Sequence, residues 1–154
     1  MTDRKIKNEP ETGYRLVGVA SALKEYRFCF QLNQILCCDF QKLKDISFET
    51  SDSSRNNLFG VFRAERETDE ICFTVFANKI PGAFLLPEVN NFDFIVRVDG
   101  RFSDEKMKQT TDDLQALPDM LMVAEIPLKK IKNRERLIYE EEKPSRKSFK
   151  SQKS

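Results

Sequence analysis

The sequence predicts an α+β domain: a single antiparallel β-sheet with two α-helices packed on one face. Three observations predict it. Strand-like runs follow one another between residues 45 and 99 with no helix between them, as antiparallel neighbours allow and parallel ones do not. Two segments with apolar spacings of three and four flank that block. The run Phe92 to Asp99 alternates strictly, with Phe92, Phe94, Val96 and Val98 on one side and Asp93, Ile95, Arg97 and Asp99 on the other, which suits a sheet with one covered, apolar face and one mostly polar face. The predicted order is β-α-β-β-β-β-α-β, one layer of strands under one layer of helices.

Residues 1–13 are polar and charged, with Pro10 and Gly13, and read as a flexible N-terminal arm. The domain proper spans 14–139. Tyr14 to Ala20 forms the first strand. Ser21 is placed to cap a helix running to about Cys38. Its polar residues Lys24, Arg27, Gln31 and Gln34 make one narrow stripe, while Leu23, Tyr26, Phe28, Cys29, Phe30, Leu32, Ile35 and Leu36 fill the rest of the circumference. A helix so apolar is expected to be packed on more than one side. Strands follow at 45–50, 58–66, 71–77 and 92–99, separated by turn-rich stretches such as Ser51 to Asn57. Ser103, followed by Asp104 and Glu105, caps a second helix with an inward stripe of Met107, Thr110, Leu114 and Leu117 that ends at Pro118. Met120 to Ile126 gives the last full strand, and Leu137 to Tyr139 a short extended piece. Residues 140–154 hold one Phe among charged and polar residues and read as a disordered basic tail.

Composition excludes several kinds of chemistry. The 154 residues contain no His, so His-dependent acid/base catalysis, Ser-His or Cys-His nucleophile pairs and His-ligated metals are out. Five Gly do not make a phosphate-cradling loop. Cys29, Cys37, Cys38 and Cys72 form no Cys-x-x-Cys pair and read as free thiols of a reducing cytoplasm. No apolar run is long enough for a membrane-spanning helix, and the charged N-terminus does not read as a secretory signal. No cofactor and no metal is implied. The thirteen Phe fall where the apolar helices need them and read as core, not as a platform for stacking bases.

Charge is unevenly spread. Residues 129–154 hold ten Lys/Arg against four acids, net +6, and residues 1–128 hold sixteen against twenty-one, net −5. Lys129, Lys130, Lys132, Arg134 and Arg136 are therefore candidates for contact with RNA, against the alternative of a solvated terminus. Within the body, Glu25 and Asn33 fall inside the apolar arc of the first helix. They face a pocket, or Asn33 bonds nearby backbone and Glu25 sits at the rim of the first turn.

The most distinctive segment is Leu85 to Phe94, LLPEVNNFDF. Leu86-Pro87-Glu88, three residues, then Phe92-Asp93-Phe94 resembles the motif for which the bacterial IPExxxVDY family is named. Leu replaces Ile, Phe replaces Val, and Phe94 stands where the name has Tyr. A first strand ending in GVAS, a helix bearing Tyr26 and Leu32-Asn33, and the stretch from Leu128 to Leu137 are also similar. The resemblance covers about residues 14–139 and implies a small bacterial, cytoplasmic protein. It assigns no activity and no catalytic residues. Pro87, Glu88, Asp93 and Asn33 are the candidate site. Glu88 and Asp93 form a carboxylate pair for acid/base work or a cation, or else Glu88 staples a loop and Asp93 caps a turn or pairs with a base. Three functions follow in order: a non-catalytic interaction or scaffold domain that binds a protein partner or itself as a homodimer, an RNA-associated protein using the basic segment, and a small-ligand binder or enzyme centred on Glu88 and Asp93.

Overall fold

A computed structural model describes residues 13–48 and 57–138. The predicted N-terminal arm up to residue 12 and the tail at 140–154 lie outside the described residues. The strands are β1 (Tyr14–Ser21), β2 (Gln41–Lys42), β3 (Ile46–Phe48), β4 (Asn57–Phe59), β5 (Val61–Arg66), β6 (Ile71–Ala77), β7 (Lys79–Ile80), β8 (Ala83–Phe84), β9 (Phe94–Asp99) and β10 (Met120–Ile126), and the helices are α1 (Glu25–Leu36) and α2 (Asp104–Gln115). Six strands form one antiparallel sheet in the order β10-β1-β9-β6-β5-β2. The pairs β3–β4 and β7–β8 stand apart from it. The predicted α+β architecture is present, with both helices on one face.

That face is closed by rings. Phe28 of α1 stacks on Phe94 of β9 with centroids 4.0 Å apart, and Phe73 meets Phe40 and Phe102. Val17, Val19, Leu32, Val75, Val96, Met107 and Leu114 complete the cluster. The turn between β5 and β6 ties the helices together. Arg66 pairs with Asp69 and donates to the Leu36 carbonyl at the end of α1, and Lys106 of α2 reaches the same Asp69. Hydrogen bonds from Arg66 chiefly, and then from Lys106, hold the Asp69 carboxyl down to about 2 against its desolvation.

The second face corrects the expectation of a mostly polar surface. Leu16, Val61, Phe76, Ile95 and Ile126 point to it, and it too is buried. No helix covers it. Two irregular stretches do: residues 78–93 supply Leu85, Leu86, Val89 and Phe92, and residues 127–138 supply Ile131 and Leu137. Phe92 accordingly leaves the row of Phe94, Val96 and Val98, because β9 starts only at Phe94. Its ring lies against Gly18 of β1, where an added Cβ would stand 2.5 Å from it.

Several boundaries moved for identifiable reasons. Ser21 does not cap α1. It ends β1, where its hydroxyl donates to the Asp119 carbonyl and accepts from Leu23 N–H. Lys24 takes the N-cap position without a side-chain cap. The helix stops at Leu36, because Cys37 turns left-handed at φ 56°. The expected strand 58–66 breaks at Gly60, whose missing Cβ leaves room for the Glu25 carboxylate. The strand expected at 45–50 is described only for Ile46–Phe48 and pairs with β4, outside the main sheet. The extended piece expected at 137–139 is a 3-10 turn over Arg134–Leu137, with Tyr139 outside the described residues. Ser103 does cap α2, accepting from Lys106 N–H at 3.0 Å.

Gly18→Ala should destabilise the domain by about 1–3 kcal/mol, the cost of forcing an extra methyl into a packed site. Urea denaturation measures it, and an unchanged midpoint would show that Phe92 yields freely.

Candidate functional site

The candidate motif is organised from a residue outside it. Asn78 follows directly on β6 and has no solvent exposure. Its side chain accepts Leu86 N–H at 2.7 Å and donates to the carbonyls of Val89 (3.2 Å) and Phe92 (2.9 Å). Its backbone donates to Asp93 O and accepts from Leu85 N–H, both at 2.8 Å. A buried amide with every group engaged fixes the surrounding chain, because unmaking any of these bonds strands a polar atom away from water. The segment from Leu85 to Asp93 is thereby wrapped around one side chain, with Pro87 opening a 3-10 turn over Pro87–Val89.

Glu88 and Asp93 point to different tasks. Glu88 Oε2 accepts the backbone N–H groups of Lys132 (2.8 Å) and Asn133 (3.0 Å), and Oε1 accepts Asn133 Nδ2 (3.2 Å). Burial pushes its carboxyl upward, but these bonds, together with its own backbone amide, outweigh that and leave it below the ordinary carboxylate range. Asp93 Oδ2 accepts Ser21 N–H at 2.8 Å and so joins the start of β9 to the end of β1. Asn33 Oδ1 accepts Phe40 N–H at 2.7 Å, closing the turn after α1. All three polar candidates accept hydrogen bonds from backbone, and Glu88 and Asp93 hold different segments, residues 132–133 and the end of β1. Arg97, on the same strand run as Asp93, instead grips Asp99 and the Leu137 carbonyl.

The C-terminal stretch is consequently a strap. Glu88 holds it at 132–133, Arg136 donates to Leu85 O at 2.7 Å, and Arg97 holds Leu137. Of the five cations considered for RNA contact, Lys129, Lys130, Lys132 and Arg134 are exposed, whereas Arg136 is half-buried in this structural bond.

Two concavities among the described residues bear on function. A groove of about 650 Å³ runs between the start of α1 and the β7–β8 hairpin, lined by Ser21, Lys24, Glu25, Tyr26, Lys79 and Asp93 among others. Its volume suits a small ligand or a side chain. Its charged groups are two acids and two lysines, and burial raises the Glu25 carboxyl, helped by nearby Asp45. A wider hollow of about 1030 Å³ lies at the start of α2, where Arg15 is taken up by Glu125, Asp104 and the Phe102 carbonyl. Among the described residues no group of three or more Cys, Asp or Glu side chains is placed to hold a metal ion. Burial pushes the Cys29 thiol up to about 12 and the Cys38 thiol to about 11, so neither supplies a thiolate nucleophile near neutral pH.

The feature that sequence reasoning missed is on α1. Tyr26 and Phe30, expected inside the apolar arc, are 68% and 60% exposed. The helix does lay Phe28, Cys29, Leu32 and Leu36 on the sheet, but among the described residues none covers Tyr26 and Phe30 on its outer side. Tyr26 leans edge-on against Phe62 and forms one wall of the groove, so the rings and the groove are continuous. The spacing of four between Tyr26 and Phe30 was visible, but with apolar residues nearly all round the helix it did not say which side would meet solvent.

Set against known proteins, the chain matches no family model and no curated protein.

If Glu88 holds the strap, the amide proton signals of Lys132 and Asn133 should titrate together, with a midpoint below the usual carboxylate range, and this transition should vanish in Glu88→Gln. The sign follows from the lowered carboxyl. The stabilisation is complete above the unfolded-state value and is lost as pH falls through the folded one. Amide shifts that stay flat through this acid range would remove Glu88 from that role.

Proposed function

We propose that this chain is a non-catalytic protein-interaction domain that binds its partner through the outward aromatic face of α1, with the adjoining groove receiving a side chain. The observation that carries the reading is the exposure of Tyr26 and Phe30, four residues apart on one helix, in a fold that has sealed both faces of its sheet. Adjacent large rings left in water mark interaction sites, and aromatic residues dominate the energetics of protein interfaces more than the aliphatic side chains exposed elsewhere, such as Leu58 and Leu121. The candidate acids support it from the other side, since Glu88 and Asp93 are spent on backbone amides.

Membership of the bacterial IPExxxVDY proteins is part of this proposal. It is supported by the way the resembling residues interlock: Gly18 admits the Phe92 ring, Ser21 N–H binds Asp93, and Glu88 binds the strap. A cytoplasmic location is likewise proposed, supported by four free cysteines, of which Cys37 is exposed.

Affinity capture with the intact chain tests the reading. Proteins retained by the wild type should be lost with Phe30→Asp and kept with Leu121→Asp, a control at another exposed apolar residue (75% exposed). Retention of the same proteins by Phe30→Asp would overturn it.

A further inference from the structure

Independently of the α1 face, we infer that the strap and the hollow beside it form a binding surface for single-stranded nucleic acid, with phosphates along the strap and one base seated in the hollow. The first ground is the way the strap displays its charge. Ile131 and Leu137 are buried beneath it, while Lys129, Lys130, Lys132 and Arg134 are exposed on it. Among the described residues, none of these four side chains has a hydrogen bond or an ion pair. Glu135 is the one acid between 127 and 138, and nearby Glu88 is taken up by the 132–133 backbone. The five residue steps from Lys129 to Arg134 span at most about 18 Å. Four uncompensated cations are thus concentrated on a short, anchored piece of chain, as contact with successive phosphodiesters requires.

The second ground distinguishes a nucleic acid from other polyanions. The strap leaves from the hollow of about 1030 Å³: Pro127 and Leu128 line it, and Lys129 and Lys130 follow Leu128 in the same 3-10 turn. Tyr14 lines the hollow from β1, and exposed Arg101 lines it from the chain before α2. The volume admits a base with its sugar. Tyr14 supplies an aromatic side chain on which any base can stack. Arg101 has no partner among the described residues and adds a cation for a phosphate. The acids that line the hollow are already neutralised, since Asp104 and Glu125 are both held by Arg15. An acidic protein segment or an anionic membrane calls for the lysines, but not for an aromatic-lined recess beside them.

The third ground is that the two parts are fastened to each other. The Arg97 guanidinium lies 4.4 Å from the centroid of the Tyr14 ring and donates to the Leu137 carbonyl at 2.6 Å. One side chain thereby steadies both the ring in the hollow and the far end of the strap, and Glu88 and Arg136 hold the strap in between. A surface held in place before the ligand arrives loses little freedom on binding. Phosphate contacts and stacking carry no base code, so this surface binds single strands with little preference for sequence and a steep dependence on salt.

The test is the fluorescence anisotropy of a short labelled single strand of mixed sequence, made once as RNA and once as DNA, titrated with the full chain at several salt concentrations. Binding of either strand supports the inference, and the tighter one names the sugar. Combining Lys129→Gln, Lys130→Gln and Lys132→Gln should weaken binding at least about tenfold and lower the steepness of log affinity against log salt by about two. Tyr14→Leu should weaken it at least about fivefold with the salt slope unchanged, whereas Tyr14→Phe should bind as the wild type does. A duplex of the same sequence should bind more weakly than the single strand, because its bases cannot enter the hollow. Failure of the wild type to bind either strand at low salt would overturn the inference, as would wild-type affinity and slope in the triple variant. Unchanged affinity in Tyr14→Leu, or a duplex bound as tightly as the single strand, would overturn the seating of a base in the hollow. Phe30→Asp should leave oligonucleotide binding intact, and a loss there would move the contact to α1 and overturn the assignment to the strap. Circular dichroism of each variant verifies that it is folded.

Discussion

The structure depends on the burial of Asn78. A primary amide with no access to water must satisfy its oxygen and both of its hydrogens inside the protein, and Asn78 does so on three backbone groups of a single loop. Polar groups in a low-dielectric interior bond strongly and are costly to leave unpaired, so this side chain chooses one conformation for Leu85–Asp93 among the many a loop of that length could adopt. With the loop fixed, Leu85, Leu86, Val89 and Phe92 are aimed at the second face of the sheet, Asp93 is delivered to the end of β1, and Glu88 is presented to the strap. An irregular segment then does the covering that a helix does on the other face.

This arrangement decides what the candidate acids bind as well as what the surface exposes. The acids that stand out in the sequence are acceptors for backbone N–H groups. A carboxylate held below its ordinary range by such bonds is a poor general base and has no proton to give near neutrality. Burial drives the thiols of Cys29, Cys38 and Cys72 the opposite way, which keeps them protonated. Both sheet faces are covered, and among the exposed apolar side chains of the described residues the two aromatic rings lie together on the outer side of α1, which is the face the proposed recognition uses.

The sequence revealed regular elements far better than the irregular ones. Strict alternation over 94–99 and the Ser103-Asp104-Glu105 start of α2 were legible because local physics decides them: the pleat separates alternate side chains, and a serine accepts the third amide beyond it. Ser21 misled for the same local reason. It has the chemistry of a cap, but Asp119 and Asp93, both far along the chain, claim its hydroxyl and its amide. The covered second face was illegible because its lid has no period. Leu85, Leu86, Val89, Phe92, Ile131 and Leu137 are spaced by the shape of a loop and two turns, and no window scan marks them as one layer. Asn78 left one trace, a polar residue closing the apolar run ICFTVFA, which reads equally well as the start of a turn. The loop-staple alternative for Glu88 corresponds to its observed bonds, although the chain it staples is the distant 132–133 segment.

Native-state hydrogen exchange at the amide of Leu86 tests the central claim most directly, since that N–H donates to the Asn78 side chain and to no strand. If Asn78 locks the loop into the fold, this amide exchanges as slowly as those in the middle of β9, through global unfolding alone. Exchange at Leu86 that runs orders of magnitude faster than in β9, while the sheet stays protected, would mean that the loop opens independently and that the second face is not held as described.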